Sequence, residues 1–147
     1  MIVEGILPAA RERLVVIGSD APLIAAATLL RDLDRDIVVV RGSEGVLAGV
    51  ITKTDIVRQI SRCQGAACLT GASAVMTKAV VYCNPGDLLR EVWMIMKERH
   101  LKNIPILDGD SRPVGVLNAR DALEALLEEI QYEEVLLREY VMCVGYH

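Results

Sequence analysis

The sequence contains very few aromatic residues, 3% of 147 positions, and no phenylalanine at all. Its core must therefore be aliphatic, since apolar residues still make up 52% of the chain. The sequence also lacks a long hydrophobic run. The longest apolar stretch, residues 21–30, is about half the length needed to cross a bilayer. These features predict an ordinary globular domain with an aliphatic core and no membrane span.

The N-terminus lacks the basic flank that precedes the apolar part of a secretory signal, and it carries an acid at Glu4. We therefore expect a cytoplasmic protein. There is no excess of positive charge either: 16 Lys and Arg face 20 Asp and Glu, a net charge of −4. This mildly acidic balance argues against binding to nucleic acid or to an anionic membrane.

Cysteines are few, at positions 63, 68, 83 and 143, and without an export signal they do not predict a disulfide framework. Cys63 and Cys68 have four residues between them, which is looser than usual for zinc, and neither His100 nor His147 completes a metal site. We predict no metal. A thiol or metal sensor using Cys63 and Cys68 is the third functional hypothesis, after the two given below.

An internal repeat organises the chain. Residues 14–60 align with residues 80–126 at an offset of 66 positions without a gap. Gly49 then falls on Gly115, and Asp55 falls on Asp121. Few letters are identical, but the apolar and polar positions match throughout. This pattern indicates an old duplication.

Each copy reads β-α-β-β-α, which predicts an α/β (α+β) fold of two βαββα units related by pseudo-twofold symmetry. The opening strands are expected at 14–17 and 79–82, and the first helices at 22–33 and 88–99. Residues 1–62 form repeat 1, 63–78 a linker, and 79–130 repeat 2. Residues 131–147 extend the last helix, which is expected to run to about Met142, and this extension either packs across a dimer or docks a partner.

The first helix of copy two carries two apolar stripes, whereas a surface helix needs one. The second stripe includes Leu88 and Ile95, beside Trp93 in the first. It is covered either by the sister repeat or by another subunit. We predict a homodimer whose interface includes these residues.

A polar residue stands three places before an aspartate where each closing helix begins: Thr52 before Asp55, and Asn118 before Asp121. This spacing fits a capping box, in which the aspartate only stabilises the helix start. The same geometry also suits a nucleotide, because a helix start attracts phosphate and a carboxylate binds ribose hydroxyls. Both interpretations can hold at once.

The sequence resembles the cystathionine-β-synthase-type (CBS) repeat over residues 10–130. The resemblance rests on the strand-end pattern Gly-apolar-apolar-Thr-x-x-Asp at residues 49–55, on Ile104-Pro105, and on Val75-Met76-Thr77. CBS repeats occur in pairs called Bateman modules, which dimerise. They bind AMP, ADP, ATP or S-adenosylmethionine and usually regulate an attached or partner protein. The sequence does not identify a regulated protein here.

The resemblance implies roles for individual residues. Asp55 and Asp121 match ribose-binding carboxylates, and Thr52 matches the hydroxyl that faces the phosphate. Asn118 departs from the usual Ser or Thr, and Arg120 is the donor that compensates.

The resemblance also identifies the residues that would contact the adenine base. Ala79 and Val80 match the segment at the adenine edge, and Ile104 and Pro105 match the lining of the base. Arg11 aligns with Thr77, so the opening of copy one is atypical.

No nucleophile–base pair, Gly-rich phosphate loop or metal motif is present, so we predict no enzymatic activity. We expect a non-catalytic regulatory module that senses an adenosine-containing ligand and signals to a partner protein. The alternative is a dimeric interaction module that binds no ligand.

Overall fold

A computed structural model describes residues 1–62 and 70–145, with side chains to residue 142. It confirms the mixed α/β fold with two repeated units and a long C-terminal helix. The first unit contains α1 (Leu7–Arg13), β1 (Val16–Gly18), α2 (Leu23–Asp32), β2 (Ile37–Arg41), β3 (Leu47–Thr52) and α3 (Lys53–Arg62). The second contains α4 (Ala72–Val75), α5 (Leu89–Glu98), β4 (Asn103–Leu107), β5 (Pro113–Asn118) and α6 (Ala119–Gly145). Short 3-10 turns lie at Val3–Ile6 and Ser43–Gly45.

The two sheets have matching registers. In the first sheet β1 pairs parallel to β2, which pairs antiparallel to β3. Strands β4 and β5 form an antiparallel pair. Val39 lies opposite Val50, and Pro105 opposite Val116 at the same 66-residue offset. The register shifts after Val40 in one pair and after Ile106 in the other, again at equivalent positions. The duplication therefore extends to the irregularities of the sheets.

The opening strand expected at 79–82 in copy two does not form. Only one parallel bridge remains, between Cys83 and Ile106. The reason is Pro105. In copy one the N–H of Val39 donates to the carbonyl of Val15 at 2.8 Å, but the equivalent Pro105 has no N–H to donate.

The segment that opens each repeat packs against the other repeat. Val3, Leu7 and Ala10 belong to the core of the second unit. Ala72, in α4, belongs to the core of the first, with Val75 packed beside it. A third apolar cluster of Ile37, Val39, Val50 and Val116 joins the two units. This exchange ties the repeats into one body and places residues of each beside the sheet of the other.

Helix α6 continues for 27 residues, whereas its counterpart α3 has ten. All side chains from 131 to 142 are exposed. Within the part of the chain that the structure describes, no helix combines the length and apolar character needed to cross a membrane.

Two glycines allow the exchanged segments to approach the sheets. A Cβ on Gly49 would lie 2.7 Å from the Thr77 carbonyl oxygen and 2.9 Å from the Met76 side chain. A Cβ on Gly115 would lie 3.0 Å from the Ala10 Cβ. Only glycine fits where the Thr77 backbone comes this close to a strand.

We therefore expect Gly49→Ala to lower the free energy of unfolding by about 1–3 kcal/mol, because the crossing backbone must shift. Gly109→Ala is the matched control, since a Cβ there meets no heavy atom within 4 Å, and its effect should stay within about 0.5 kcal/mol. Urea denaturation measures both. Equal losses for the two variants would contradict the close approach.

Candidate functional site

The start of α3 forms a complete capping box. The Thr52 N–H donates to Asp55 Oδ2 at 3.0 Å, and the Asp55 N–H donates to Thr52 Oγ1 at 3.3 Å. The two bonds satisfy backbone donors that a helix start would otherwise leave unpaired. The predicted capping arrangement is thus present in copy one. Because Thr52 Oγ1 accepts in this bond, its hydroxyl hydrogen is free to donate elsewhere.

Asp55 is also the carboxylate predicted to bind a ribose in copy one. It is only 7% exposed, and its Oδ2 also accepts a long hydrogen bond from the Thr77 hydroxyl at 3.5 Å. Arg58 Nη1 lies 3.7 Å from Oδ1, too far for a hydrogen bond. Oδ1 therefore retains the capacity to accept from a ligand hydroxyl, while Oδ2 is held by the protein.

The start of α6 is capped differently. Asn118 Oδ1 accepts from the N–H groups of Arg120 at 3.0 Å and Asp121 at 3.2 Å. Asn118 Nδ2 donates to Asn103 Oδ1 at 3.0 Å. Both ends of the Asn118 amide are therefore engaged within the protein. Arg120 is 86% exposed and lies 3.7 Å from Glu124, one turn along the helix.

Asp121 faces an arginine rather than open space. Arg13 Nε donates to Asp121 Oδ2 at 2.5 Å, and Arg13 Nη2 donates to Oδ1 at 3.0 Å. The pair is bidentate and partly buried, with the two side chains 34% and 23% exposed. The hydrogen bond to Asp121 and the charge of its carboxylate raise the pKa of Arg13 further above its ordinary value. Both oxygens of the second predicted ribose carboxylate therefore accept from Arg13.

The repeat explains why the two helix starts differ. At the 66-residue offset, Arg13 aligns with Ala79. Helix α1 continues through Arg13, whereas α4 ends at Val75, so the two opening segments diverge after the helix. Copy one thus places the Arg13 guanidinium on Asp121. The equivalent residue of copy two, Ala79, has only an exposed methyl group.

The remaining predicted residues are spread between surface and core. Ala79 is exposed, and Val80 is half-buried against the cluster that joins the two units. Ile104 is 2% exposed and Pro105 less than 2%. Ile104 belongs to the core of the second unit, and Pro105 beside it in β4 is fully buried. Both side chains therefore offer a base almost no accessible surface.

Cys83 is the cysteine whose side chain the structure describes, and it is buried. Burial raises the pKa of its thiol to about 12, so the sulfur stays protonated and unreactive at neutral pH. Cys63 and Cys68, on which the sensor hypothesis depends, lie outside the described residues. Among the side chains that the structure describes, His, Cys, Asp and Glu nowhere form a group of three that could hold a metal ion.

Sequence reasoning missed Arg13, the residue that distinguishes the two sites. The sequence marks Arg11 instead, and that residue is exposed. The sequence does contain a signal for it: the resemblance assigns Ala79 to the adenine edge, and the 66-residue offset aligns Arg13 with Ala79. The sequence does not predict the contact of Thr77 with Asp55 either, because this contact arises from the exchange of opening segments between the repeats.

Comparison with known proteins agrees with this architecture. The CBS domain family model matches residues 3–62 and 72–128. The crystal structure of the CBS-domain containing protein ATU1752 from Agrobacterium tumefaciens is 26% identical, with a TM-score of 0.73. The match covers 85% of this chain and 98% of that one. No curated protein matches the chain in sequence.

Two solved structures that contain ligands share the fold. The CBS domain pair of protein MJ0100, in complex with 5′-methylthioadenosine and S-adenosyl-L-methionine, is 19% identical with a TM-score of 0.71. The match covers 86% of this chain and 99% of that one. CBSX2 in complex with AMP is 18% identical with a TM-score of 0.70, and the match covers 80% and 90%. The duplicated unit and the two family matches, which span most of the sequence, show that this chain belongs to the CBS domain family as a tandem pair.

Proposed function

We propose that the chain is a non-catalytic, cytoplasmic regulatory module that binds AMP, ADP, ATP or S-adenosylmethionine and signals to a partner protein. The observation that carries this proposal is Asp55, a nearly buried carboxylate. One of its oxygens is held by hydrogen bonds, and the other has only Arg58 beside it, at 3.7 Å, beyond hydrogen-bond distance. A structural cap needs only one oxygen. The free oxygen suits a ribose hydroxyl, which donates to carboxylates in nucleotide sites.

The surroundings of Asp55 fit the rest of such a ligand. The free hydroxyl hydrogen of Thr52 and the positive end of the α3 dipole suit a phosphate or a carboxylate. Thr77 and Ala79 are exposed, and the Thr77 hydroxyl lies 3.5 Å from Asp55 Oδ2, so a base bound beside this carboxylate would meet an exposed segment. The ligands in the MJ0100 and CBSX2 structures all contain adenosine or its 5′-thio analogue, which supports this class of ligand for the same fold.

One observation favours the alternative, an interaction module that binds no ligand. Ile104 and Pro105, matched to the lining of the base, are buried in strand β4. In this alternative the exposed apolar surface of α6 carries the function.

We further propose that the chain forms a homodimer through the groove between α5 and α6. The groove has a volume of about 940 Å³ and is lined mainly by apolar side chains. Leu88 is 50% exposed, Ile95 43% and Ile130 52%, and Trp93 lines the same groove. A contiguous apolar surface of this kind is uncommon on a monomer. A twofold axis would cover it with the same surface of a second copy.

Replacement of Asp55 by Asn tests the ligand site. The amide oxygen still accepts from the Thr52 N–H, so the free energy of unfolding should fall by about 1 kcal/mol or less. A lost charge-assisted hydrogen bond, about 1.5–3 kcal/mol, should weaken binding roughly ten- to a hundredfold. Thermal-shift screening with AMP, ADP, ATP, NAD and S-adenosylmethionine identifies the ligand, and calorimetry then measures its affinity for each variant.

Asp87→Asn is the matched control, because Asp87 caps a different turn by accepting from the Asn84 N–H at 2.8 Å. It removes the same charge and should leave ligand affinity unchanged. If no adenosyl compound shifts the melting temperature, or if Asp55→Asn binds as tightly as the wild type, the interaction module is the better description.

Ile95→Glu tests the dimer. A buried carboxylate in the α5–α6 groove should reduce the mass measured by light scattering at micromolar concentration from two chains to one. Tyr82→Glu is the control: Tyr82 is 53% exposed but does not line the groove. A monomeric wild-type protein would refute the proposed dimer, and so would an Ile95→Glu variant that keeps the mass of two chains.

A further inference from the structure

The two equivalent helix starts of this chain present their carboxylates in opposite states. Asp55 Oδ1 accepts no hydrogen bond from the residues that the structure describes, and its neighbour is the exposed Arg58, whose Nη1 pairs with it at 3.7 Å. Asp121 has both oxygens engaged by the Arg13 guanidinium. Ala79 aligns with Arg13 at the 66-residue offset, so the segment beside Asp55 carries no guanidinium at the repeat position that engages Asp121.

We infer that the chain binds one adenosyl ligand, at Asp55, and that Arg13 occupies the ribose position of the second site. The inference rests on the proposed function. It adds the number of sites, their location and the residue that sets both. Arg13 is thus a specificity-determining residue: it closes one of two sites that the duplication made equivalent.

Competition at Asp121 favours the guanidinium. Arg13 makes two parallel hydrogen bonds in which donor and acceptor are both charged, and this bidentate geometry matches the carboxylate better than separate hydroxyl donors can. Arg13 is part of the same chain, so it competes without the loss of translational freedom that a free ligand suffers on binding. A ribose can reach Asp121 only after this pair has separated.

The packing of α1 keeps Arg13 in place. Leu7 and Ala10, in the same helix, are buried in the core of the second unit. A Cβ on Gly115 would lie 3.0–3.2 Å from Ala10 atoms, so α1 lies directly on strand β5. The guanidinium is therefore anchored by a helix that cannot withdraw without opening the core.

Asn118 changes the part of the second site that would face the phosphate. Its amide oxygen caps α6 and its amide nitrogen donates to Asn103. The equivalent Thr52 keeps a free hydroxyl hydrogen. The copy-two helix start thus lacks the hydroxyl donor that Thr52 supplies in copy one, and its carboxylate already accepts two hydrogen bonds from Arg13.

A reciprocal exchange tests the inference on the full chain. Arg13→Ala gives copy one the side chain found at the equivalent position of copy two, and Ala79→Arg does the reverse. Calorimetry with AMP, and separately with S-adenosylmethionine, measures ligands bound per chain. We expect one for the wild type, and two for Arg13→Ala, the second being weaker because Asn118 remains. We expect none for Ala79→Arg.

The double variant Arg13→Ala/Ala79→Arg moves the site. It should bind one equivalent that is lost on Asp121→Asn and is indifferent to Asp55→Asn, the reverse of the wild type. Arg11→Ala is the matched control, because it removes an exposed arginine from the same helix and should leave one equivalent bound. Melting temperatures establish that each variant is folded. Arg13→Gln replaces Arg13→Ala if α1 detaches, and it should also expose the second site.

The outcomes separate the two proposals. Two equivalents on the wild type, or one on a folded Arg13→Ala or Arg13→Gln protein, overturn the closure by Arg13 and leave the proposed function standing. Weaker binding by Arg13→Ala at a single site also overturns it, since Arg13 would then contact the ligand. No binding by the wild type or by any variant overturns the proposed function, and the inference with it.

Discussion

The close contact between each opening segment and the sheet of the other repeat determines the rest of this structure. It is made where the backbone at Thr77 crosses Gly49 and where Ala10 lies on Gly115. Because the contact leaves no room for a Cβ, the two repeats cannot slide past one another. It brings Thr77 to Asp55 and Arg13 to Asp121, pairs that are 22 and 108 residues apart in sequence. Both candidate sites are consequences of this crossing.

The sequence predicts the parts of the fold that depend on local or periodic information. The 66-residue offset anticipates the matching registers, and the helix starts at Thr52 and Asn118 follow from capping preferences. The loss of the opening strand in copy two also follows from the sequence, because Pro105 has no N–H. This loss can be predicted only when the strand that would accept from this N–H is known. The Arg13–Asp121 pair could not be derived from local patterns, because it depends on how α1 packs across the repeat boundary.

Capping and ligand binding turn out not to be competing descriptions of Asp55. Oδ2 of the carboxylate completes the cap, and Oδ1, which has only Arg58 at 3.7 Å beside it, can accept a hydrogen bond from a ligand. Asp121 shows what becomes of a carboxylate at the same position when its helix start is capped by an amide instead. Freed from the cap, the carboxylate takes a partner from the other repeat. The duplication has preserved the backbone while the chemistry of the two helix starts has diverged.

The uninterrupted length of α6 gives its first turn mechanical leverage. The helix that begins beside Asp121 runs for 27 residues, about 40 Å, and its last described side chains stand in solvent. A tilt of about 5° at the first turn displaces the far end of such a rod by roughly 3–4 Å. Ångström-scale rearrangement around the Arg13–Asp121 pair would therefore be magnified at the exposed end, where Tyr140 and Val141 would carry it to whatever surface they touch.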